Sequence, residues 1–312
     1  MAVGLEVALG RLQLRNPVMV AAGTFGYGLE YRDLVELSRL GALVTKSLTL
    51  APRMGNPPPR VAETPAGMLN AIGLQNDGVD AFCLETLPRL REYDTPIIAS
   101  VAGETLEEYV QVAEKISRAE GVAALELNLS CPNQSWGGIE FGVSPELTAQ
   151  VVAAVRQATE LPLIAKLTPN VSDLTPIAQA AVEAGAEILS LINTVLGVAV
   201  DAKTRQFRLG SVVGGLSGPA IKPIAQYHLW RVRQALPHTP LIGVGGIASA
   251  EDAIEYLLLG AHAIQVGTAN YVQPTLALEV LEGIHRYLAQ NGFDSVNAIR
   301  GSVCSIERGE EP

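Results

Sequence analysis

Eight short runs of mostly aliphatic residues recur along the chain, and none alternates regularly with polar residues. They are Pro17–Ala22, Ala42–Lys46, Pro96–Val101, Ala123–Leu129, Pro162–Leu167, Ile188–Asn193, Leu241–Val244 and Ala263–Val266. Continuous apolarity of this length predicts strands buried on both faces, as in a parallel sheet covered by helices. Amphipathic segments separate the runs. Over Thr105–Arg118, the residues Leu106, Tyr109, Val110, Ala113 and Ile116 fall on one helical stripe. Thr105-Leu106-Glu107-Glu108 predicts a capping box in front of it. Ser144-Pro145-Glu146 and Ser249-Ala250-Glu251-Asp252 supply a capping hydroxyl and first-turn acids at two further helix starts. Gly41, Gly121, Gly185 and Gly260 stand before strands, where a helix needs a left-handed terminating residue.

Strands alternating with helices eight times predict an α/β protein, a (β/α)8 TIM barrel, with residues 1–312 as a single domain. An open doubly wound sheet is the alternative, but no G-x-G-x-x-G follows the first strand. Near the N-terminus, Leu5, Val7, Leu9, Leu12 and Leu14 alternate around Gly10, which predicts a β-hairpin covering one barrel mouth. Pro52–Pro65 reads as Pro-rich and irregular, and Val195–Pro219 as a long insertion with alternating polar residues. Both follow strands, so both are expected over the C-terminal face, where barrels carry their chemistry.

Composition narrows the picture. Apolar residues make up 48% of the 312, which excludes a disordered chain. A formal charge of −10 argues against binding a nucleic-acid backbone, while leaving room for a local pocket that takes a small anion. Three scattered cysteines, Cys83, Cys131 and Cys304, form neither a disulfide framework nor a C-x-x-C metal site, and fit a reducing cytoplasm. Cys83 and Cys304 are expected to be structural. None of the four histidines sits at metal-ligand spacing, so no metal site is expected. The first residues lack a basic region and an apolar core, so they do not read as a signal peptide. The uncharged stretch Tyr256–Leu278 is long enough to cross a bilayer, but its Gly, Asn, Gln and Pro residues read as helix end, buried strand and loop.

The strand ends carry the candidate chemistry. They gather Thr45-Lys46-Ser47, Asn128 to Asn133, Lys166, Asn193-Thr194, Gly243 to Gly246 and Gly267-Thr268, with no acidic residue immediately among them. Glycines after strands seven and eight let backbone N–H groups approach a phosphate, aided by a following helix N-terminus. Lys46 and Lys166, each ending an apolar run, can face an anionic ligand or a reduced cofactor. Cys131 lies just past a strand end beside amides and Pro132, where a thiolate of lowered pKa could act as base or nucleophile. The loop Asn70-Ala71-Ile72-Gly73-Leu74-Gln75-Asn76 offers uncharged donors and acceptors suited to a planar heterocycle.

These motifs resemble the class 1 dihydroorotate dehydrogenases, in their catalytic subunit, over almost the whole chain. The specific pieces are Gly55-Asn56-Pro57-Pro58-Pro59-Arg60-Val61-Ala62-Glu63-Thr64-Pro65, Asn70 to Leu74, Asn128-Leu129-Ser130-Cys131-Pro132-Asn133, Ile192-Asn193-Thr194, Ser217-Gly218-Pro219 and the two glycine clusters. The resemblance implies an FMN-containing barrel that oxidises dihydroorotate to orotate in pyrimidine biosynthesis. It makes Cys131 the base for the C5 proton while hydride leaves C6 for FMN. It assigns the substrate to Lys46, Asn70, Ala71, Ile72, Gly73, Leu74, Asn128, Asn193 and Thr194. It assigns FMN to Lys46, Ser47, Asn128, Lys166, Ile192, Gly218, Gly245, Gly246, Gly267 and Thr268. Two positions depart from the family pattern. Ala22 and Ser100 stand where serine and asparagine often lie, each at a cost of about 1 kcal/mol if a hydrogen bond is lost. The Arg60-to-Pro65 and Asn70-to-Asn76 stretches look most like class 1B. That class passes electrons to NAD through a partner subunit carrying FAD and a [2Fe–2S] cluster, in a heterotetramer built on a homodimer of the catalytic chain. The alternatives are a fumarate-using class 1A enzyme, a related flavin barrel acting on dihydropyrimidines, and a phosphate-binding barrel without flavin.

Overall fold

All eight apolar runs become parallel strands of one closed barrel in the computed structural model, which describes residues 3–130, 132–133 and 139–304. The barrel strands are β1 (Val18–Val20), β2 (Ala42–Val44), β3 (Ile97–Val101), β4 (Val122–Asn128), β5 (Leu163–Leu167), β6 (Ile188–Leu191), β7 (Leu241–Val244) and β8 (Ala263–Val266). Each pairs with its successor, and β8 closes the ring on β1 through Ile264 opposite Val18. Nearly every strand residue is buried, which is why these runs carry no polar alternation. The outer layer contains α1 (Leu106–Arg118), α2 (Pro145–Ala158), α3 (Thr175–Glu183), α4 (Lys222–Ala235), α5 (Ala250–Leu258) and α6 (Leu276–Gln290). Between β2 and β3, residues 78–90 form a helical run interrupted by a π-helical turn at Phe82–Thr86.

The helix starts follow the sequence signals. Thr105, Ser144 and Ser249 accept hydrogen bonds from the N–H groups of Glu108, Leu147 and Asp252 at 3.2, 3.3 and 3.2 Å. The expected capping box is displaced by one residue, because Glu108 accepts from the Glu104 N–H instead of the Thr105 N–H. Gly121, Gly185 and Gly260 have φ of 101°, 112° and 107°, as expected. Gly41 differs. It is not among the positive-φ glycines, and a Cβ there would lie 2.2 Å from the Asn16 carbonyl oxygen, so close chain approach is what demands glycine.

The predicted hairpin forms from Val7–Leu9 and Leu12–Leu14. Its four inward residues, Val7, Leu9, Leu12 and Leu14, are buried, each worth roughly 1.5–3 kcal/mol. Arg11 at its tip pairs with Glu187 at 2.5 Å, just before β6, so the hairpin closes the N-terminal mouth.

Over the opposite mouth lies a four-stranded antiparallel sheet, in the order Val195–Val198, Val213–Ser217, Gly67–Asn70, Val61–Thr64. The segment Pro52–Pro65 is therefore not irregular throughout: its Val61–Thr64 is a strand. Asn70 pairs on one side with Val61 and on the other with Gly215, so the two insertions complete each other. A small second core of Ala62, Leu69 and Leu209 sits on one face of this sheet. Thr268 Oγ1 donates to Ser217 Oγ at 2.7 Å and ties the sheet to the end of β8. The stretch Tyr256–Leu278 is divided among α5, β8, a 3-10 turn and α6, and no helix among the described residues is long and apolar enough to cross a membrane.

Candidate active site

A cavity of about 660 Å³ opens at the C-terminal face, between the barrel rim and the insertion sheet. That volume is in the range of small-molecule sites. Every described residue that the resemblance assigned to substrate or FMN lines it: Lys46, Ser47, Asn70, Ala71, Ile72, Gly73, Leu74, Asn128, Lys166, Ile192, Asn193, Thr194, Gly218, Gly245, Gly246, Gly267 and Thr268; Thr45, Asn76, Ser130 and Gly243 do not. Cys131 lies outside the described residues. Its described neighbour Ser130 is anchored, since Ser130 N–H donates to Asn128 Oδ1 at 3.3 Å and Asn193 Nδ2 donates to Ser130 Oγ at 2.9 Å.

The rim amides form one continuous network. Asn193 Nδ2 also donates to Asn128 Oδ1 at 3.1 Å, Asn128 Nδ2 donates to Ser47 Oγ at 3.3 Å, and Ser47 Oγ meets Ser100 Oγ at 2.9 Å. Ser100 is wholly buried behind Ser47 and does not line the cavity, so it props Ser47 instead of facing a ligand. Ala22 lines the cavity but brings no side-chain donor. Lys46 Nζ stands 5.6 Å from the centre of the Tyr27 ring, a cation–π contact that leaves its ammonium at the wall.

The glycine clusters meet steric demands. Gly245 and Gly246 have φ of 131° and 70°. A Cβ on Gly246 would lie 2.6 Å from Lys222 Cβ and 2.8 Å from Lys222 N, and one on Gly245 would lie 2.8 Å from Ala225 Cβ. Only glycine fits here, which leaves backbone exposed to a ligand. The α5 terminus contributes less positive potential than expected, because Ala248 N–H already donates to Asp252 Oδ2 at 2.9 Å. Burial pushes the Asp252 carboxyl up, but Lys222 and the Ala248 N–H together outweigh it and hold the carboxyl below the ordinary range.

The Asn70–Asn76 wall is held from behind. Arg60 donates to the Met54 carbonyl at 3.0 Å, to Gln75 Oε1 at 2.5 Å and to the Asn56 carbonyl. Asn56 Nδ2 donates to the Ala71 carbonyl at 3.0 Å. The Asn76 side chain makes four hydrogen bonds, accepting from the Thr49 and Gly78 N–H groups and donating to Thr49 Oγ1 and the Leu74 carbonyl. Asn56, Arg60 and Asn76 therefore set the loop's shape, while Asn70 to Gln75 face the cavity.

No acidic residue lines the cavity among the described residues, but one lies directly behind it: Glu126, within β4, is fully buried, with Oε1 3.6 Å from Lys166 Nζ. Gln265, Thr24, Met68 and Tyr271 were not singled out from the sequence, and Ser217 was named only within the Ser217-Gly218-Pro219 motif. Thr24, Met68, Ser217 and Tyr271 line the cavity, and Gln265 lies fully buried against Lys166 and Glu126. The usable signal was a lone polar residue interrupting an apolar strand, as Glu126 and Gln265 do. Of the outlying cysteines, Cys83 is half-buried and burial raises its thiol pKa, whereas Cys304 is exposed, which does not support a packing role. No cluster of metal-ligating side chains occurs among the described residues.

Comparison with known proteins agrees with this architecture. The family model described as "Dihydroorotate dehydrogenase" matches residues 4–288. A Geotalea daltonii protein named "Dihydroorotate dehydrogenase B (NAD(+)), catalytic subunit" is 54% identical over 299 residues, covering 96% of this chain and 98% of its own. Proteins of the same name from Desulforudis audaxviator and Bacteroides thetaiotaomicron are 51% and 50% identical, covering 97% and 96% of this chain and 98% of each relative. The names favour the B type over the fumarate-using alternative. A closed barrel whose mouth gathers the glycine clusters, two lysines and the amide network, matched along nearly its full length by these relatives, places the chain in the dihydroorotate dehydrogenase family.

Proposed function

We propose that this chain is an FMN-dependent dihydroorotate dehydrogenase that oxidises dihydroorotate to orotate and passes the electrons to NAD through a partner subunit. The observation that carries the reading is one cavity whose wall combines phosphate-type glycine turns, pyrimidine-type amides, Lys46 and Lys166. The residues fit the cofactor: Gly245 and Gly246, where packing against Ala225 and Lys222 leaves no room for a Cβ, put bare backbone on the cavity wall, and the volume suits a ligand of this size.

Gly245, Gly246, Gly267 and Thr268 would hold the FMN phosphate through backbone N–H groups. Lys46, Ser47, Asn128, Lys166, Ile192 and Gly218 would hold the remainder of the cofactor. When bound, the flavin supplies a two-electron acceptor for the hydride leaving C6. Lys46, the wall Asn70 to Leu74, Asn128, Asn193 and Thr194 would hold the pyrimidine and its carboxylate. Their role is orientation, because removing a proton from carbon requires the base to be close and aligned. Cys131 is assigned as that base, taking the C5 proton onto its sulfur. The Asn128–Ser47–Ser100 chain, anchored on the wholly buried Ser100, fixes the orientation of the Asn128 amide that faces the substrate.

The word "subunit" in the relatives' names supports a partner, and the absence of C-x-x-C supports the iron–sulfur cluster lying on that partner. The assembly proposed is two copies of this chain with two copies of an FAD and [2Fe–2S] protein, in the cytoplasm. The test is to express the chain alone, measure FMN uptake, and assay dihydroorotate with fumarate and with NAD. FMN uptake with little turnover of either acceptor, and NAD reduction restored by the partner, is expected. Absence of any FMN uptake overturns the cofactor, and rapid fumarate turnover by the isolated chain overturns the acceptor.

A further inference from the structure

We propose that Glu126 is a positioning residue for Lys166, and that the two present themselves to the bound flavin as one charge-compensated unit. This rests on the FMN reading above and deepens it. Glu126 on β4, Lys166 on β5 and Gln265 on β8 form a closed triangle inside the barrel. Gln265 Nε2 donates to Glu126 Oε2 at 2.7 Å, Lys166 Nζ donates to Gln265 Oε1 at 3.5 Å, and Lys166 Nζ lies 3.6 Å from Glu126 Oε1. Glu126 and Gln265 are wholly buried and do not line the cavity. Lys166 alone of the three reaches the cavity wall.

Stability alone does not account for this arrangement. Burying an ion pair costs desolvation that the attraction often fails to repay, and apolar residues of similar volume would fill the space at least as well. Glu126 Oε1 also accepts no hydrogen bond, so the carboxylate is only partly satisfied by its neighbours. What the triangle achieves is orientation. An ammonium has three donors. Glu126 and Gln265 engage it from within the barrel, leaving donor capacity for the cavity. The carboxylate lies deeper than the ammonium, so a ligand meets the positive end of a neutral pair and not a full net charge.

This arrangement fixes the sign of each perturbation on the flavin. Removing the carboxylate leaves an uncompensated positive charge that favours the reduced, more negative cofactor. Removing the ammonium leaves the opposite imbalance. Removing both restores neutrality.

The experiment uses the full chain reconstituted with FMN and reads the midpoint potential of the bound flavin. Glu126→Gln is expected to raise the preference for reduced over oxidised FMN about tenfold, about 30 mV for a two-electron couple. Lys166→Met is expected to lower it. The double variant, which buries no lone charge and is the safest to fold, is expected to lie between them and nearer the parent. A merely structural triangle would change FMN occupancy or stability without opposite shifts in potential. Glu126→Gln at or below the parent potential overturns the proposal. If that variant does not fold, a double variant equal to Lys166→Met overturns it. A parent chain that takes up no FMN refutes the underlying reading, whereas a parent that holds FMN with unshifted variants refutes only this inference.

Discussion

Gly246→Ala is predicted to damage the cofactor cradle through two separable effects. The first is conformational: at φ 70° an alanine pays roughly 1–2 kcal/mol for the left-handed region. The second is steric. The new Cβ would lie 2.6 Å from Lys222 Cβ and 2.8 Å from Lys222 N. Lys222 cannot readily withdraw, because its ammonium is held by Asp252 at 2.5 Å and Glu255 at 2.9 Å. Overpacking of this kind costs about 1–3 kcal/mol, for a total of about 2–5 kcal/mol. Gly292→Ala is the control. Gly292 has φ 74° but nothing within 4 Å of the added Cβ, and it does not line the cavity. It should lose about 1–2 kcal/mol and keep its FMN affinity. Urea unfolding of the two apoproteins, with FMN titrations followed by fluorescence, measures both effects. Gly246→Ala should unfold more easily than the control and bind FMN at least about tenfold more weakly, which corresponds to about 1.4 kcal/mol. Equal stability and equal affinity in the two variants would show that the turn is not a tight cradle.

Other outcomes follow from the same geometry. Cys131→Ala should retain FMN and orotate while oxidising dihydroorotate at least about 100-fold more slowly in anaerobic single-turnover measurements, and near-normal flavin reduction removes the cysteine from the role of base. Lys46→Ala should weaken orotate binding far more than uracil binding in equilibrium titrations, because only orotate brings a carboxylate; equal losses would count against that contact. His262 sits near Arg233 and Arg300, and burial first, then those cations, hold its pKa down at about 3 against an ordinary 6.5. The unfolded chain therefore takes up a proton below pH 6.5 that the folded chain refuses until about pH 3, so this contribution is complete above pH 6.5 and declines as pH falls through that window. Between pH 6 and 5 the loss should be about 1 kcal/mol, read as the difference in denaturant unfolding between the parent and His262→Gln; parallel pH profiles would contradict it.

The barrel was legible because its strands are buried on both faces, so each announces itself locally as an uninterrupted apolar run. The helix caps were legible for the same reason, since Thr105, Ser144 and Ser249 act within one turn. Pairings distant in sequence were not. Val61–Thr64 gains strand character only with Gly67–Asn70 beside it and Val213–Ser217 beyond, and the latter is supplied by the other insertion. Glu126 and Gln265 are 139 residues apart, and only closure of the ring brings them together under Lys166. Within the site, sequence reading identified the cavity-facing groups. It treated Asn56 and Arg60 only as part of a recognisable stretch, although they act by holding the loop from behind. Gly41 shows the converse limit: glycine was expected for a left-handed turn, and the backbone demands it for close approach to Asn16.

The central claim is that one cavity holds FMN and dihydroorotate together. Anaerobic addition of dihydroorotate to the purified, FMN-reconstituted chain tests it most directly, with the visible flavin band and orotate followed together. The account predicts complete bleaching with one orotate formed per flavin reduced. A chain whose flavin stays oxidised, or which bleaches without forming orotate, would contradict it.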